Sequence, residues 1–266
     1  MTRRTWALST FWIVLTAVCQ HRLAAEAPPV DLVYPHLDSA NSRWFFFSSA
    51  CRPFGMVNLS PDTETGGAWG SGYRYKSKTI RGLSHIHGWQ ISGLSVMPVT
   101  LPEQDSAAVF TDFESGFSHE QEKVSPGYHY LELTRSGIVV ELTSTTRVGW
   151  HRYRYPEGEA AGLLFNLNGD AGPCKIVDGE LSQSGPSSIS GTLVNAPTRR
   201  RPKPLKVFFH VEFDRPITAI ERNDVTGAYL AKFGGISDLT TKAALSYTSI
   251  AGAKKNLSLI HISEPT

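Results

Sequence analysis

Two imidazoles and an indole stand at alternate positions in Arg81–Gly93, RGLSHIHGWQISG. In an extended chain successive side chains point to opposite faces, so Leu83, His85, His87 and Trp89 would share one side. Such a row offers two chemistries at once. Indole supplies a flat apolar surface, and imidazole supplies directed donors and acceptors, which together suit a ligand with an apolar face and a polar rim. Imidazoles at i and i+2 could instead hold a metal, but no third ligand stands nearby in the sequence. The plainer alternative is that both rings satisfy backbone groups where two domains meet, with Trp89 at the same interface.

Other residues carry chemistry of their own. Arg52, before Pro53-Phe54-Gly55, offers a guanidinium of fixed geometry for an ion pair or a substrate. Asp62 with Glu64, and Asp112 with Glu114, are close carboxylates in Ser/Thr-rich turns. Such pairs usually bond backbone N–H groups in loops, so they are expected to cap turns rather than to work as a catalytic pair. Phe45, Phe46 and Phe47 read as core or interface.

The elements that must position these residues are strands. Alternating or apolar runs recur at Tyr128–Leu133, Ile138–Thr143, Gly149–Tyr155, Gly162–Leu167, Ser188–Leu193 and Leu205–Val211. Turn signals separate them, among them Ser125-Pro126-Gly127, Arg135-Ser136-Gly137 and Pro156-Glu157-Gly158. No segment shows a sustained helical period with caps. Many short strands at even spacing predict an all-β sandwich or barrel. The stretch Asp31–Leu101 differs, being rich in Gly, Ser, His and aromatics with little plain alternation, and reads as loop-heavy.

The chain has 266 residues, 41% of them hydrophobic, and a formal net charge of +2. It is long enough to bury a sizeable core, and it has no charge field that would recruit nucleic acid. The basic run Thr198–Leu205, TRRRPKPL, is short, broken by prolines, and reads as a solvated loop. No cysteine spacing suggests structural zinc. Met1–Ala25 has an Arg3-Arg4 start, an apolar run from Trp6 to Val18 and small residues at Ala24 and Ala25. That is the pattern of a bacterial-type signal peptide, so the mature chain is expected to be secreted or periplasmic. The apolar run is shorter than the roughly 20 residues of a membrane span, and no transmembrane segment is expected in the mature chain. Cys51 and Cys174 could then pair in an oxidising compartment or remain buried thiols. Leu257–Thr266, LSLIHISEPT, resembles the conceptual translation of a sequencing adapter. The expected organisation is therefore a leader over 1–25, a sandwich over 28–256 and ten residues foreign to the protein, with the chain the front piece of a longer one.

Several runs in register resemble glycoside hydrolase family 92: RWFFFSSACRPFGMVNLSPDT (43–63), GAWGSGYRY (67–75), IRGLSHIHGWQISG (80–93), FSHEQEKVSPGYHYLEL (117–133), ELTSTTRVGWHRYRYP (141–156) and ALSYTSIAGAKKN (244–256). The resemblance implies a large antiparallel β-sandwich of the galactose-mutarotase-like super-sandwich type, normally followed by an (α/α)6 barrel absent here. It implies an exo-acting, inverting, calcium-dependent α-mannosidase acting on α-mannoside glycans. Inversion needs an acid and a base roughly 6.5–9.5 Å apart. The family takes both from the barrel, so no catalytic residue is assigned in this chain, and most calcium contacts would lie there too. The sandwich would pack on the barrel of the same polypeptide and form part of the pocket wall. On that basis Trp69, in the Gly-rich loop Gly66–Gly70, is expected to reach the terminal sugar, since small neighbours allow close approach; its alternative is a buried anchor. His85, His87, Trp89 and Arg52 complete the candidate substrate-binding set. Two readings from other classes are a stand-alone carbohydrate-binding module and a scaffold without chemistry.

Overall fold

The computed structural model describes residues 27–41, 50–66, 72–88, 90–101, 107–171 and 174–259. The leader segment, Phe45–Phe47, Trp69 and Trp89 lie outside the described residues. A short segment up to Tyr34, with one 3-10 turn at Pro29–Leu32, forms a unit of its own. The rest, from Pro35 onward, is the β domain.

Two large antiparallel sheets build it, with a third of two strands, Thr79–Ile80 and Ser115–Gly116. In spatial order the first, of seven strands, runs Ala50–Cys51, Asn58–Asp62, Gly82–Gly88, Ile91–Leu101, Ala160–Asn166, Tyr229–Gly234 and Ala219–Arg222. The second, of nine strands, runs Gly169–Ala171, Cys174–Gly185, Ser188–Asn195, Leu205–Phe213, Asp238–Ser246, Val148–Arg154, Ile138–Ser144, Tyr128–Leu133 and Lys123–Ser125. One apolar core joins them, with Leu59, Leu83, Ile86 and Phe165 from the first sheet and Leu131, Val140, Phe209 and Leu239 from the second. This is the all-β sandwich that the strand spacing predicts.

The alternating runs fold as expected. Tyr128–Leu133 alternates half-buried and buried residues along its length, and Ile138–Ser144 nearly so. The stretch read as loop-heavy differs, because it supplies two central strands of the first sheet. Gly82–Gly88 is buried at six of its seven positions, and Ile91–Leu101 is buried on both faces over most of its length. A strand covered on both sides shows no polar face, so alternation vanishes from its sequence.

One capped helix also departs from the expectation. Ile250–Ser258 starts at Ser249, whose hydroxyl accepts from the Gly252 N–H at 2.9 Å. Its buried Leu257 packs with Val148 and Ala244, against Trp150. Nine residues carry too few turns to raise a helical period above the strand pattern around them. Cys51 and Cys174 are both free thiols, the first half-buried and the second buried. Arg201, in the basic run read as solvated, is partly buried and donates from Nη2 to the carbonyls of Ala196 (2.7 Å) and Gln90 (3.1 Å). It ties that loop to the turn after His87.

Candidate functional site

His85 lies on Gly82–Gly88, in the first sheet, and is fully buried. Its Nδ1 stands 2.7 Å from the Leu94 carbonyl, which can only accept, so Nδ1 carries the proton. Its Nε2 meets His151 Nε2 of the second sheet at 2.8 Å. His151 Nδ1 is 2.7 Å from the Tyr153 hydroxyl. These contacts fix one order of donors. Tyr153 donates to His151 Nδ1, His151 Nε2–H donates to His85 Nε2, and His85 Nδ1–H donates to Leu94. All three groups are neutral. Burial, opposed by the Leu94 hydrogen bond, pushes the His85 pKa down to about 4, and burial with the neighbouring His85 holds His151 well below the usual imidazole range. Gly149 leaves the room, since a Cβ there would stand 2.6 Å from the His85 ring.

His87, two residues on, has other partners. Nδ1 donates to the Asn58 carbonyl and Nε2 to Asp62 Oδ1, each at 2.7 Å. Asp62 Oδ2 accepts from the Ser84 hydroxyl. Burial opposes the imidazolium, but the charge and hydrogen bond of Asp62 outweigh it and raise the His87 pKa. His87 and Asp62 thus form a buried ion pair (side chains 6% and 8% exposed).

A third cluster surrounds Glu122, a residue to which sequence reasoning gave no role. The Tyr73 hydroxyl donates to its carboxylate at 2.8 and 2.9 Å, His129 Nε2 at 2.8 Å and His119 Nδ1 at 2.6 Å. His119 Nε2 also donates to the Tyr75 carbonyl at 2.6 Å, and its ring stacks on Tyr75 with centroids 4.1 Å apart. Burial would raise the Glu122 carboxyl; the hydrogen bonds from His129, His119 and Tyr73 reverse that and hold it below the ordinary carboxylate range.

These clusters grip the two feet of one excursion of the chain. Asp62 ends the strand leading out, and Tyr73 begins the return. Between them Gly72 N–H donates to the Glu64 carbonyl at 2.7 Å, Glu64 N–H to Gly72 at 3.0 Å, and Arg74 N–H to the Thr63 hydroxyl at 2.8 Å. Gly72 has φ +91°, where a side chain would be strained. Trp69 falls in the part of this excursion outside the described residues. So the carboxylate pairs do not cap turns as expected. Asp62 is buried and bonded by the Ser84 and His87 side chains, Glu64 accepts from Ser77 Oγ at 2.9 Å, Asp112 pairs with both Nη atoms of Arg135, and Glu114 pairs with Arg81 at 3.4 Å.

Arg52 is exposed, in a turn closed by Gly55 N–H to the Arg52 carbonyl at 3.1 Å. Phe54 in that turn is fully exposed and left-handed, at φ +61°. Thus His85 and His87 are buried hydrogen-bonding groups of one strand and Arg52 is exposed, while Trp69 and Trp89 lie outside the described residues. Among the described residues no three His, Cys, Asp or Glu side chains come together to hold a metal ion. Among these residues the buried carboxylates of Asp62 and Glu122 already accept from side-chain donors. Among the described residues no helix is long and apolar enough to cross a membrane.

A β-sandwich domain with buried His–carboxylate clusters around Asp62 and Glu122 is the class that fold and site define. Residues 32–254 match the model of the glycosyl hydrolase family 92 N-terminal domain. The chain belongs to glycosyl hydrolase family 92. Among solved structures it is similar to the family GH92 α-mannosidase BT3965 of Bacteroides thetaiotaomicron, in complex with mannoimidazole, with 24% identity and a TM-score of 0.71 over 88% of this chain and 34% of that one. The inverting mannosidase BT2199 of the same bacterium aligns with 22% identity and a TM-score of 0.67, over 88% and 34%. The family hydrolase ccman5 aligns with 18% identity and a TM-score of 0.70, over 89% and 35%. The chain spans about a third of the length of these proteins. No curated protein sequence matches it.

Proposed function

We propose that this chain is the N-terminal sandwich of a secreted exo-α-mannosidase, and that it serves α-mannoside hydrolysis by forming part of the sugar pocket against a catalytic (α/α)6 barrel of the same polypeptide. The observation that carries the reading is the family match across 32–254, together with the buried clusters that hold Asp62 and Tyr73, on either side in sequence of the segment that includes Trp69. A residue that stacks on a sugar must be held to within a fraction of an ångström, which buried, fully bonded supports provide. In this reading Trp69, Trp89 and Arg52 meet the substrate. His85 and His87 act through the strands they hold. The exposed Phe54, on a strained turn next to Arg52, is the apolar contact that a covering domain would bury. The acid, the base and any calcium belong to the barrel.

The test is an assay with an aryl α-mannoside in the presence of calcium. A longer gene product with the barrel is expected to release the aglycone, and its Trp69→Ala variant to lose most kcat/KM. The pure sandwich over 26–256 is expected to be inactive. Turnover by the sandwich alone would overturn the reading.

A further inference from the structure

The outer face of the nine-stranded sheet carries a groove of about 410 Å3 between the sheet and the helix Ile250–Ser258. Cross-strand register places Ser188, Glu212, Lys242 and Trp150 side by side. His210, Glu212 and Lys242 line the groove from the sheet, and Lys254 from the helix. Lys242 Nζ stands 4.6 Å from the centre of the Trp150 ring.

The proton on His210 decides what this groove accepts. Its residue is 5% exposed. Ser190 Oγ donates to Ser184 Oγ at 3.2 Å and lies 2.9 Å from His210 Nδ1, so Nδ1–H is the donor in that pair. Burial first, then the Lys254 charge, lowers the His210 pKa against the opposing Glu212 charge and Ile189 carbonyl, which favours the neutral ring. Nε2 therefore holds a lone pair. It lies 3.7 Å from Glu212 Oε1, too far for a hydrogen bond. His210 and the Glu212 carboxylate thus line the groove together with the ammonium groups of Lys242 and Lys254. An anion would meet the Glu212 carboxylate and the lone pair, and a cation would meet Lys242 and Lys254. A neutral vicinal diol satisfies both sides, its O–H groups donating to His210 Nε2 and Glu212 while its oxygens accept from the lysines.

We propose that this groove is a second glycan-contact site, taking vicinal hydroxyls of a neutral pyranoside on the face opposite the sandwich core. The choice of a pyranoside among polyols rests on the proposed function; the geometry of donors and acceptors does not. The test is a two-dimensional NMR titration of the 266-residue chain with methyl α-mannopyranoside. Saturable shifts are expected at the amides of His210, Glu212, Lys242 and Lys254. Glu212→Ala and Lys254→Ala alter exposed or half-exposed side chains and should leave the spectrum folded. Each should weaken binding about tenfold, as for a charged hydrogen bond. No saturable shift at these amides, shifts confined to Thr65 and Arg74, or tighter binding of inorganic phosphate at the groove would overturn the inference. Absence of mannoside hydrolysis by the longer gene product would sink the function reading and leave this titration intact.

Discussion

His85 and His87 sit two residues apart on one strand, both buried, yet one is neutral and the other carries a charge. His85 faces a carbonyl and another imidazole, so one proton suffices and a second would have no acceptor. His87 faces a carbonyl and a carboxylate, both acceptors, so two protons are required. Burial works against charge at both rings. The neighbour's chemistry, not the depth, sets the sign. The neutral ring bridges the two sheets, whereas the charged ring stays within the first sheet and fixes the strand that leads into the Trp69 excursion.

Removing Asp62 is the largest expected break in this contrast. Asp62→Ala leaves an imidazolium buried without its counter-ion, which should cost about 3–5 kcal/mol. With the carboxylate gone only the opposing effect of burial and the Asn58 bond remain, so the His87 pKa should fall. Urea denaturation at neutral pH and an NMR titration of His87 measure both; a loss well under 1 kcal/mol would mean that His87 is not charged.

The pH dependence should show the two rings pulling apart. His85 has an ordinary value of 6.5 and a folded value of about 4. The unfolded chain therefore takes up the proton first. The stability that neutral His85 contributes is complete above pH 6.5 and is lost as the pH falls to about 4, an effect of about 3 kcal/mol. His87 runs the other way, because its folded value is raised. Its contribution is complete below 6.5 and is lost as the pH rises through its folded value. Denaturation midpoints measured across pH should thus fall on the acid side through His85 and on the alkaline side through His87. In His85→Gln the acid limb should flatten while the alkaline limb remains.

The difference between the two rings was beyond the sequence, and the reason is physical. Spacing placed both on one strand, but their partners are His151, 66 residues on, and Asp62, 25 residues back. Nothing local distinguishes an imidazole that will meet a lone pair from one that will meet a carboxylate. The half-buried strands such as Tyr128–Leu133 were legible because one face meets core and the other water. Gly82–Gly88 and Ile91–Leu101 were not, since both of their faces are covered. Glu122 carried a partial signal in His119 three residues before it and His129 seven after, whereas Tyr73 comes from 49 residues away. Asp62 read as a turn cap because its neighbours are Ser60, Thr63 and Glu64; the fold instead ends a strand there and turns the carboxylate inward.

Glu122 extends the comparison, as a carboxylate serving several donors where Asp62 serves two. Glu122→Gln keeps the shape but turns one oxygen into an NH2 that faces donors from Tyr73 and its histidines. The expected loss is about 2 kcal/mol, smaller than for Asp62→Ala because no side chain is truncated. Amide exchange at Gly72 and Arg74 should quicken, since Tyr73 would no longer pin the returning foot. Unchanged exchange there would separate the Glu122 cluster from the excursion.

The smallest expected effect is also the finest test of the neutral relay. Tyr153→Phe removes the hydroxyl that donates to His151 Nδ1 and leaves that lone pair buried without a donor, at a cost of about 1 kcal/mol. His151 then has a choice. It can keep its proton on Nε2, where His85 Nε2 needs it, or shift it to Nδ1 and abandon the bond between the sheets. The His85 proton is held on Nδ1 by the Leu94 carbonyl, so its Nε2 has no other donor within reach. The Nε2–H form of His151 should therefore persist in the variant, visible in the nitrogen shifts of its ring. A switch to Nδ1–H would show that Tyr153, rather than His85, sets the direction in which the hydrogen bonds run between the sheets.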